Sequence, residues 1–218
     1  NNLLILGDAC QSHCAEYEGK NIGTIGDAET FSFYPTKNMT TSEGGMITTN
    51  NPEIAELSKI FRNHGQTQRY YHEFLGYNLR MTDICAAIGL EQLKKLEGFT
   101  NKRIKNAKYL TGKLNKIEGI TTPYVLKNVK HVYHQYTIKI NEGNRDEINK
   151  KLNDAGIGTG IHYPIPINDQ PIYKTLGYNP NDTPAACDAA KKVLSLPINP
   201  SVTTENLDYI AGKLNEFL

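Results

Sequence analysis

Apolar and polar positions along this 218-residue chain switch between two periods, and the switches outline an α/β protein. Leu3 to Leu6 is a short apolar run ending at Gly7-Asp8, and Phe31 to Tyr34 is another, stopped by Pro35; both predict buried strands. Met46-Ile47-Thr48-Thr49 predicts a third strand, closed by Asn50-Asn51-Pro52. The period then lengthens. Ile54, Leu57, Ile60 and Phe61 fall at helical spacing over Pro52 to Arg62, with Asn51 placed as N-cap and Pro52 at the first helical position. Residues 64–78 are polar and aromatic, rich in Gly and Tyr, and predict a long ordered loop. Thr82 is placed to cap a helix that buries Ile84, Ala87, Ile88, Leu90 and Leu93, and a second helix is expected from Thr100 to Leu114.

Gly119 to Pro123 marks a hinge. Beyond it, Val132 to Ile140 alternates with period two, as a half-buried strand does. Arg145 to Ala155 predicts a helix closed by Gly156, and Gly158 to Tyr163 a short strand entering Pro164-Ile165-Pro166. Ala185 to Leu194 and Thr203 to Phe217 complete the helices. The expected organisation is one domain over 1–118 and a small α/β domain over 119–218 with a mostly antiparallel sheet.

Charge narrows the partners. With 24 basic and 23 acidic residues the formal charge is +1, so nothing draws the chain as a whole to nucleic acid or an anionic membrane, and an anionic ligand must be held by a local site. No apolar run approaches the roughly 18 to 20 residues that cross a bilayer, and no basic-then-apolar leader opens the chain, so a cytoplasmic protein is expected. Cys10 and Cys14 flank His13 but lack a second ligand pair, and Cys85 and Cys187 stand apart. Free thiols and no metal are expected.

One lysine stands out by its setting. Lys37 follows the apolar run Phe31-Ser32-Phe33-Tyr34 and precedes the glycine turn Ser42-Glu43-Gly44-Gly45. A lysine that forms a Schiff base needs a rigid, partly desolvated place with backbone close by, and this setting offers one. Taken alone, the same setting also suits a plain solvated lysine. Asp8, at the end of the first apolar run, alters the balance, because a lysine amine with an acidic partner for a pyridinium nitrogen is the donor pattern of pyridoxal phosphate.

Five segments in order carry a resemblance: Asp8-Ala9-Cys10-Gln11, Ser32 to Asn38, Glu43-Gly44-Gly45-Met46, Gly76 to Asp83, and Gly160-Ile161-His162-Tyr163-Pro164. Together the chain resembles the DegT/DnrJ-type sugar aminotransferases, which are pyridoxal-phosphate enzymes of aminotransferase fold type I. The resemblance implies the later part of that fold's large domain, a mixed sheet with flanking helices, followed by the small C-terminal domain. Members are longer, and their N-terminal part carries a Gly-Thr phosphate turn and an aromatic residue stacked on the cofactor ring. Neither has a counterpart here, so a chain lacking its N-terminal part is expected.

The resemblance also implies roles. Lys37 would hold the cofactor and move the proton, and Asp8 would keep the pyridine nitrogen protonated. Gln11 would lie by the phenolic oxygen, Ser32 would donate to the phosphate, and Asn78 would reach the phosphate of a neighbouring subunit, which implies a homodimer with shared sites. Arg80 would contact phosphate or a substrate carboxylate, with a structural ion pair an open alternative, and His162 and Tyr163 would contact substrate, with a strand end and a stacking tyrosine as theirs. The chain departs from the family at Gly7, Ser42 and Asn168, where Glu, Gly and His are common. The implied activity is transfer of an amino group, with glutamate as expected donor, to a keto group of a nucleotide-linked sugar. Two alternatives stand beside it. A sugar dehydratase of the same fold typically replaces the lysine with histidine, whereas this chain keeps Lys37; a non-catalytic binding or regulatory homologue, or an inactive fragment, is the other.

Overall fold

A computed structural model describes residues 3–218, so the opening Asn1-Asn2 lies outside the described residues. The strands are, in chain order, β1 (Leu6–Asp8), β2 (Glu16–Tyr17), β3 (Lys20–Asn21), β4 (Ala28–Ser32), β5 (Gly45–Thr48), β6 (Gln66–Gln68), β7 (Tyr71–His72), β8 (Ile120–Thr121), β9 (Val129–Lys130), β10 (Tyr136–Ile140) and β11 (Val193–Leu196). The helices are α1 (Pro52–Phe61), α2 (Asp83–Leu114), α3 (Arg145–Asp154), α4 (Pro171–Thr175), α5 (Pro184–Lys192) and α6 (Thr204–Phe217). The chain divides into two compact units, one running through Asn101 and including Val125–His134, the other made of Lys102–Tyr124 and Gln135–Leu218.

In the first unit β4 lies between β1, parallel to it with Asp8 opposite Thr30, and β5, antiparallel to it with Ser32 opposite Gly45. A parallel pair needs a crossover, and here residues 9–27 supply it, including the β2–β3 hairpin. That hairpin turns through Glu18 and Gly19, both at positive φ, which a two-residue turn of this hand requires; an Asn-Gly signal is missing, so the sequence conceals it. α1 starts where the Asn51 side chain accepts from the amides of Glu53 and Ile54. Phe33, Met39 and Leu96 form a buried cluster, flanked by Cys14, Phe31 and Met81.

Several expectations change. The first strand is Leu6–Asp8, not Leu3 to Leu6, and it is an edge strand: Leu3, Leu4, Ile5 and Leu6 are 59–85% exposed, because no described element covers that run. The second expected strand, Phe31 to Tyr34, is shifted to Ala28–Ser32. Residues 64–78 hold a bulged hairpin, β6–β7, in place of an irregular loop. The two helices expected after Thr82 are one helix of 32 residues: Gly98 costs it about 1 kcal/mol against alanine but removes no backbone donor. Thr82 does cap it, its Oγ1 accepting from the Cys85 amide at 3.3 Å. The expected apolar stripe is not buried: Ile84, Ala87, Ile88, Leu90 and Leu93 are exposed, and Gly89 and Leu96 are the buried positions of that stretch. Helical spacing defines a stripe but does not supply the surface that covers it.

The second unit is built on the antiparallel sheet β11-β10-β8. Tyr136, Ile138 and Ile140 point inward and are buried, while Lys139 between them is exposed, which is the alternation the sequence predicts. Ala107, Leu110 and Leu114 of α2 are fully buried, as are Leu152 of α3 and Leu214 of α6. α3 is capped by Asn144 and closed by Gly156 at φ +80°. The helix expected to reach Leu194 ends at Lys192, and Val193-Leu194-Ser195-Leu196 pairs with β10 instead. The expected strand over Gly158 to Tyr163 reduces to one bridge, Gly160 to Ser195. Among the described residues no helix is long and apolar enough to cross a membrane, and no cluster of three metal-ligating side chains occurs.

Candidate active site

The end of β1 and the turn after β4 carry the first group of candidate residues. Asp8 closes β1, and the next amide, Ala9, donates to the Thr30 carbonyl at 2.9 Å, which pins the strand end to β4. The Cys10 amide then donates to Asp8 Oδ1 at 3.1 Å, a side-chain turn that aspartate favours. On the other strand, Phe33 donates to the Gly44 carbonyl and accepts from the Thr41 amide and the Thr40 hydroxyl, so residues 33–44 form a closed loop over the strand end. Lys37 lies in that loop, its amide donating to the Tyr34 carbonyl at 2.9 Å. Next to it Asn38 is buried and donates from Nδ2 to the Val132 carbonyl. The loop is a rigid carrier: Thr41 is 1% exposed, and a Cβ at Gly44 would meet Thr41 Oγ1 at 2.5 Å and Met81 at 2.9 Å.

Charges converge here. Hydrogen bonds from the Cys10 thiol and amide hold Asp8 below the usual carboxylate range, slight desolvation opposes them, and the Lys37 charge adds to the lowering. Asp8 is therefore ionised at neutral pH, as a partner for a protonated ring nitrogen must be. In return the Asp8 carboxylate pushes the Cys10 thiol up, with burial helping; the thiol also lies 3.8 Å from the Thr30 carbonyl. His13 sits behind this group, 4% exposed and between Phe31 and Phe33, with ring centroids 5.3 and 5.9 Å away. Burial lowers its pKa, the Ser32 backbone partly offsets that without reaching full hydrogen-bond geometry, and Lys37 lowers it further. Lys37 thus acts on Asp8, Cys10 and His13 at once. The sequence assigns neither Cys10 nor His13 a role in this group; their spacing after Asp8 is the signal that could have found them.

Ser32 ends β4, half-buried, with Oγ accepting from the Tyr34 amide at 3.4 Å. Gln11 is exposed and its side chain makes no hydrogen bond among the described residues. Asn78 and Arg80 form a separate group. Asn78 is bridged through its backbone to Asn63, and Arg80 Nη1 donates to Asn63 Oδ1 at 2.7 Å, with no bond from either side chain to Asp8 or Lys37. Arg80 also lines a cavity of about 400 Å³ with Lys59, Ile60, Arg62, Asn63 and Gln66. His162 and Tyr163 belong to the second unit, exposed, their rings edge-on at 5.6 Å.

An amine, an ionised carboxylate and a hydroxyl grouped at adjacent strand ends fit pyridoxal phosphate in kind: Lys37 would hold its aldehyde carbon, Asp8 its ring nitrogen and Ser32 its phosphate. The fold is of the aminotransferase type I class. Comparison with known proteins narrows this. The chain matches the DegT/DnrJ/EryC1/StrS aminotransferase family over residues 1–215, and it belongs to that family. It is 40% identical, over all of its length and 59% of the relative's, to a pleiotropic regulatory protein of Geobacillus stearothermophilus. It is 37% identical, over 92% of its length and 52% of the relative's, to the dTDP-3-amino-3,4,6-trideoxy-alpha-D-glucose transaminase of Streptomyces venezuelae. The PLP-form of Spr1654 from Streptococcus pneumoniae superimposes with a TM-score of 0.91 at 27% identity, covering 98% of this chain and 57% of that one. The chain therefore spans somewhat over half the length of the proteins it matches.

Proposed function

We propose that this protein is a pyridoxal-phosphate-dependent aminotransferase that moves an amino group, with glutamate as donor, onto a keto group of a nucleotide-linked sugar. The observation that carries the reading is the placement of Asp8 at the end of β1 and of Lys37 in the turn that follows the adjacent, parallel β4. The name of the Streptomyces relative supports the sugar nucleotide as substrate class. When bound, pyridoxal phosphate supplies an aldehyde carbon for the amino group and a ring that accepts electrons from the substrate α-carbon. Lys37 takes up and returns the proton at that carbon, and Asp8 holds a proton on the ring nitrogen. Ser32 and Gln11 orient the cofactor's phosphate and phenolic oxygen. Arg80, His162 and Tyr163 meet the substrate, and Asn78 serves the site of a second copy in a homodimer. A cytoplasmic location suits such substrates.

The test is optical. Pyridoxal phosphate added to purified protein should give a visible absorption band that borohydride bleaches, and Lys37→Ala should give neither the band nor any transamination. A Lys37→Ala protein that transaminates at the normal rate would sink the assignment. The name of the Geobacillus relative favours a second reading, a binding or regulatory protein on the same scaffold. That reading predicts a protein that stays colourless. The dehydratase alternative lacks support, since position 37 is lysine.

A further inference from the structure

His162 is held on three sides within the second unit. Its Nδ1 lies 3.1 Å from Ser195 Oγ, and that oxygen lies 2.9 Å from Thr137 Oγ1. Ser195 is 7% exposed and is fixed by two backbone bonds to Gly160, donating to its carbonyl at 2.7 Å and accepting from its amide at 3.1 Å. Gly160 itself makes room for the ring: a Cβ there would stand 2.7 Å from His162 Cε1. The edge of one ring against the other at Tyr163 closes the third side. Nε2 has no partner among the described residues, and the side chain is exposed.

Two hydroxyl protons must be placed along Thr137, Ser195 and His162. If Nδ1 carries a proton, three protons share two contacts, and one hydroxyl proton, that of Thr137 or that of Ser195, is left without an acceptor among the described residues. If Thr137 donates to Ser195 and Ser195 donates to Nδ1, both protons are used, which partly buried hydroxyls favour. We propose that Ser195, oriented by Thr137, is a positioning residue that keeps the neutral His162 ring in its Nε2–H tautomer and directs that N–H outward as a donor to an oxygen acceptor of the substrate. What the N–H meets rests on the aminotransferase reading above, whereas the relay itself does not. Fixing one ring nitrogen through a neighbour is how proteins select the role of the other.

The measurement is the tautomer state of His162 in the whole ¹⁵N-labelled chain, read from long-range ¹H–¹⁵N spectra at a pH where imidazoles are neutral. The wild type should show Nε2–H. Ser195→Ala removes the donor to Nδ1 and should raise the ratio of Nδ1–H to Nε2–H roughly fivefold, as loss of one net hydrogen bond allows. Thr137→Val, which leaves the Ser195–His162 contact in place, should move the ratio the same way by less, and Thr137→Ser should restore it. Protected Gly160 and Ser195 amides in each variant would exclude a general loosening of the strand. A wild-type Nδ1–H signal, or equal ratios in wild type and Ser195→Ala, overturns the proposal. Should Ser195→Ala not fold, equal ratios in Thr137→Val and Thr137→Ser overturn it. No arm needs the cofactor, so a colourless protein would refute the aminotransferase reading and leave the relay standing.

Discussion

Removing the Glu29 carboxylate should loosen the base of the candidate site. Glu29 lies in β4 directly opposite Gly7 of β1 and is 4% exposed, with no cation paired to it among the described residues. Its Oε1 accepts from the amides of Ile25 and Gly26 at 2.9 and 2.8 Å, and its Oε2 from the amide of Gly23. The carboxylate thus gathers the loop that enters β4. Gly7 is required above it, since a Cβ there would stand 2.7 Å from Glu29 Cγ; the family's common Glu at that position has no room here. Hydrogen bonds to a charged acceptor contribute about 1.5–3 kcal/mol each, but the buried carboxylate carries a desolvation cost and the loop amides can turn partly to water. Glu29→Ala should therefore cost about 2–4 kcal/mol, and Glu29→Gln, which can accept with one oxygen only, about half of that. Urea unfolding followed by circular dichroism reads the loss. With a slope of about 2–3 kcal/mol per molar, the alanine midpoint should fall by roughly 1 M. Hydrogen exchange at Gly23, Ile25 and Gly26 should accelerate in the same variant. A midpoint within about 0.2 M of wild type, well below that expected shift, would show that the three contacts do not hold the loop.

Other consequences can be read separately. Because Asp8 raises the Cys10 thiol pKa, the thiolate fraction at pH 8 is reduced; Asp8→Asn should speed alkylation of Cys10 by iodoacetamide, and an unchanged rate would contradict the contact. Tyr136→Phe removes the 2.7 Å hydroxyl pair with Thr111 and should cost about 1 kcal/mol, whereas Leu110→Ala, at a fully buried position, should cost about 2–5 kcal/mol; the reverse order in thermal melts would refute the packing described for the second unit. Gly65→Ala should destabilise the β6–β7 region beyond the usual strain of a positive φ, since a Cβ there runs into the Phe74 carbonyl, and a wild-type melting profile would speak against that packing.

Much of the second unit was legible because its signals are local. Tyr136, Ile138 and Ile140 alternate with exposed or half-buried residues, and Asn144 and Gly156 bracket α3, so pattern and caps agree with the structure. The first unit was harder, for a physical reason. Leu3 to Leu6 and the stripe from Ile84 to Leu93 carry the apolar pattern of covered surfaces, yet what covers a surface is a property of neighbours that the pattern does not name. Val193 to Leu196 follows a helix without a break in composition, and its pairing with β10 is a long-range choice that a short window misses. At the candidate site, the position of Asp8 at the end of an apolar run and of Lys37 in the turn after another could be read locally. The places of His13 and Cys10 could not, because His13 packs against Phe31 and Phe33 and the Cys10 thiol lies near the Thr30 carbonyl only once residues 9–14 fold against β4 and the residue after it.

The central claim is that the amine at position 37 captures a coenzyme aldehyde while the carboxylate at position 8 faces its ring. Reducing the pyridoxal-phosphate-treated protein with borohydride and mapping the labelled peptide by mass spectrometry tests it directly. The account predicts a stoichiometric pyridoxyl mass on the peptide containing Lys37, and a lower labelling affinity in Asp8→Asn. Label spread over surface lysines with Lys37 unmodified would contradict it.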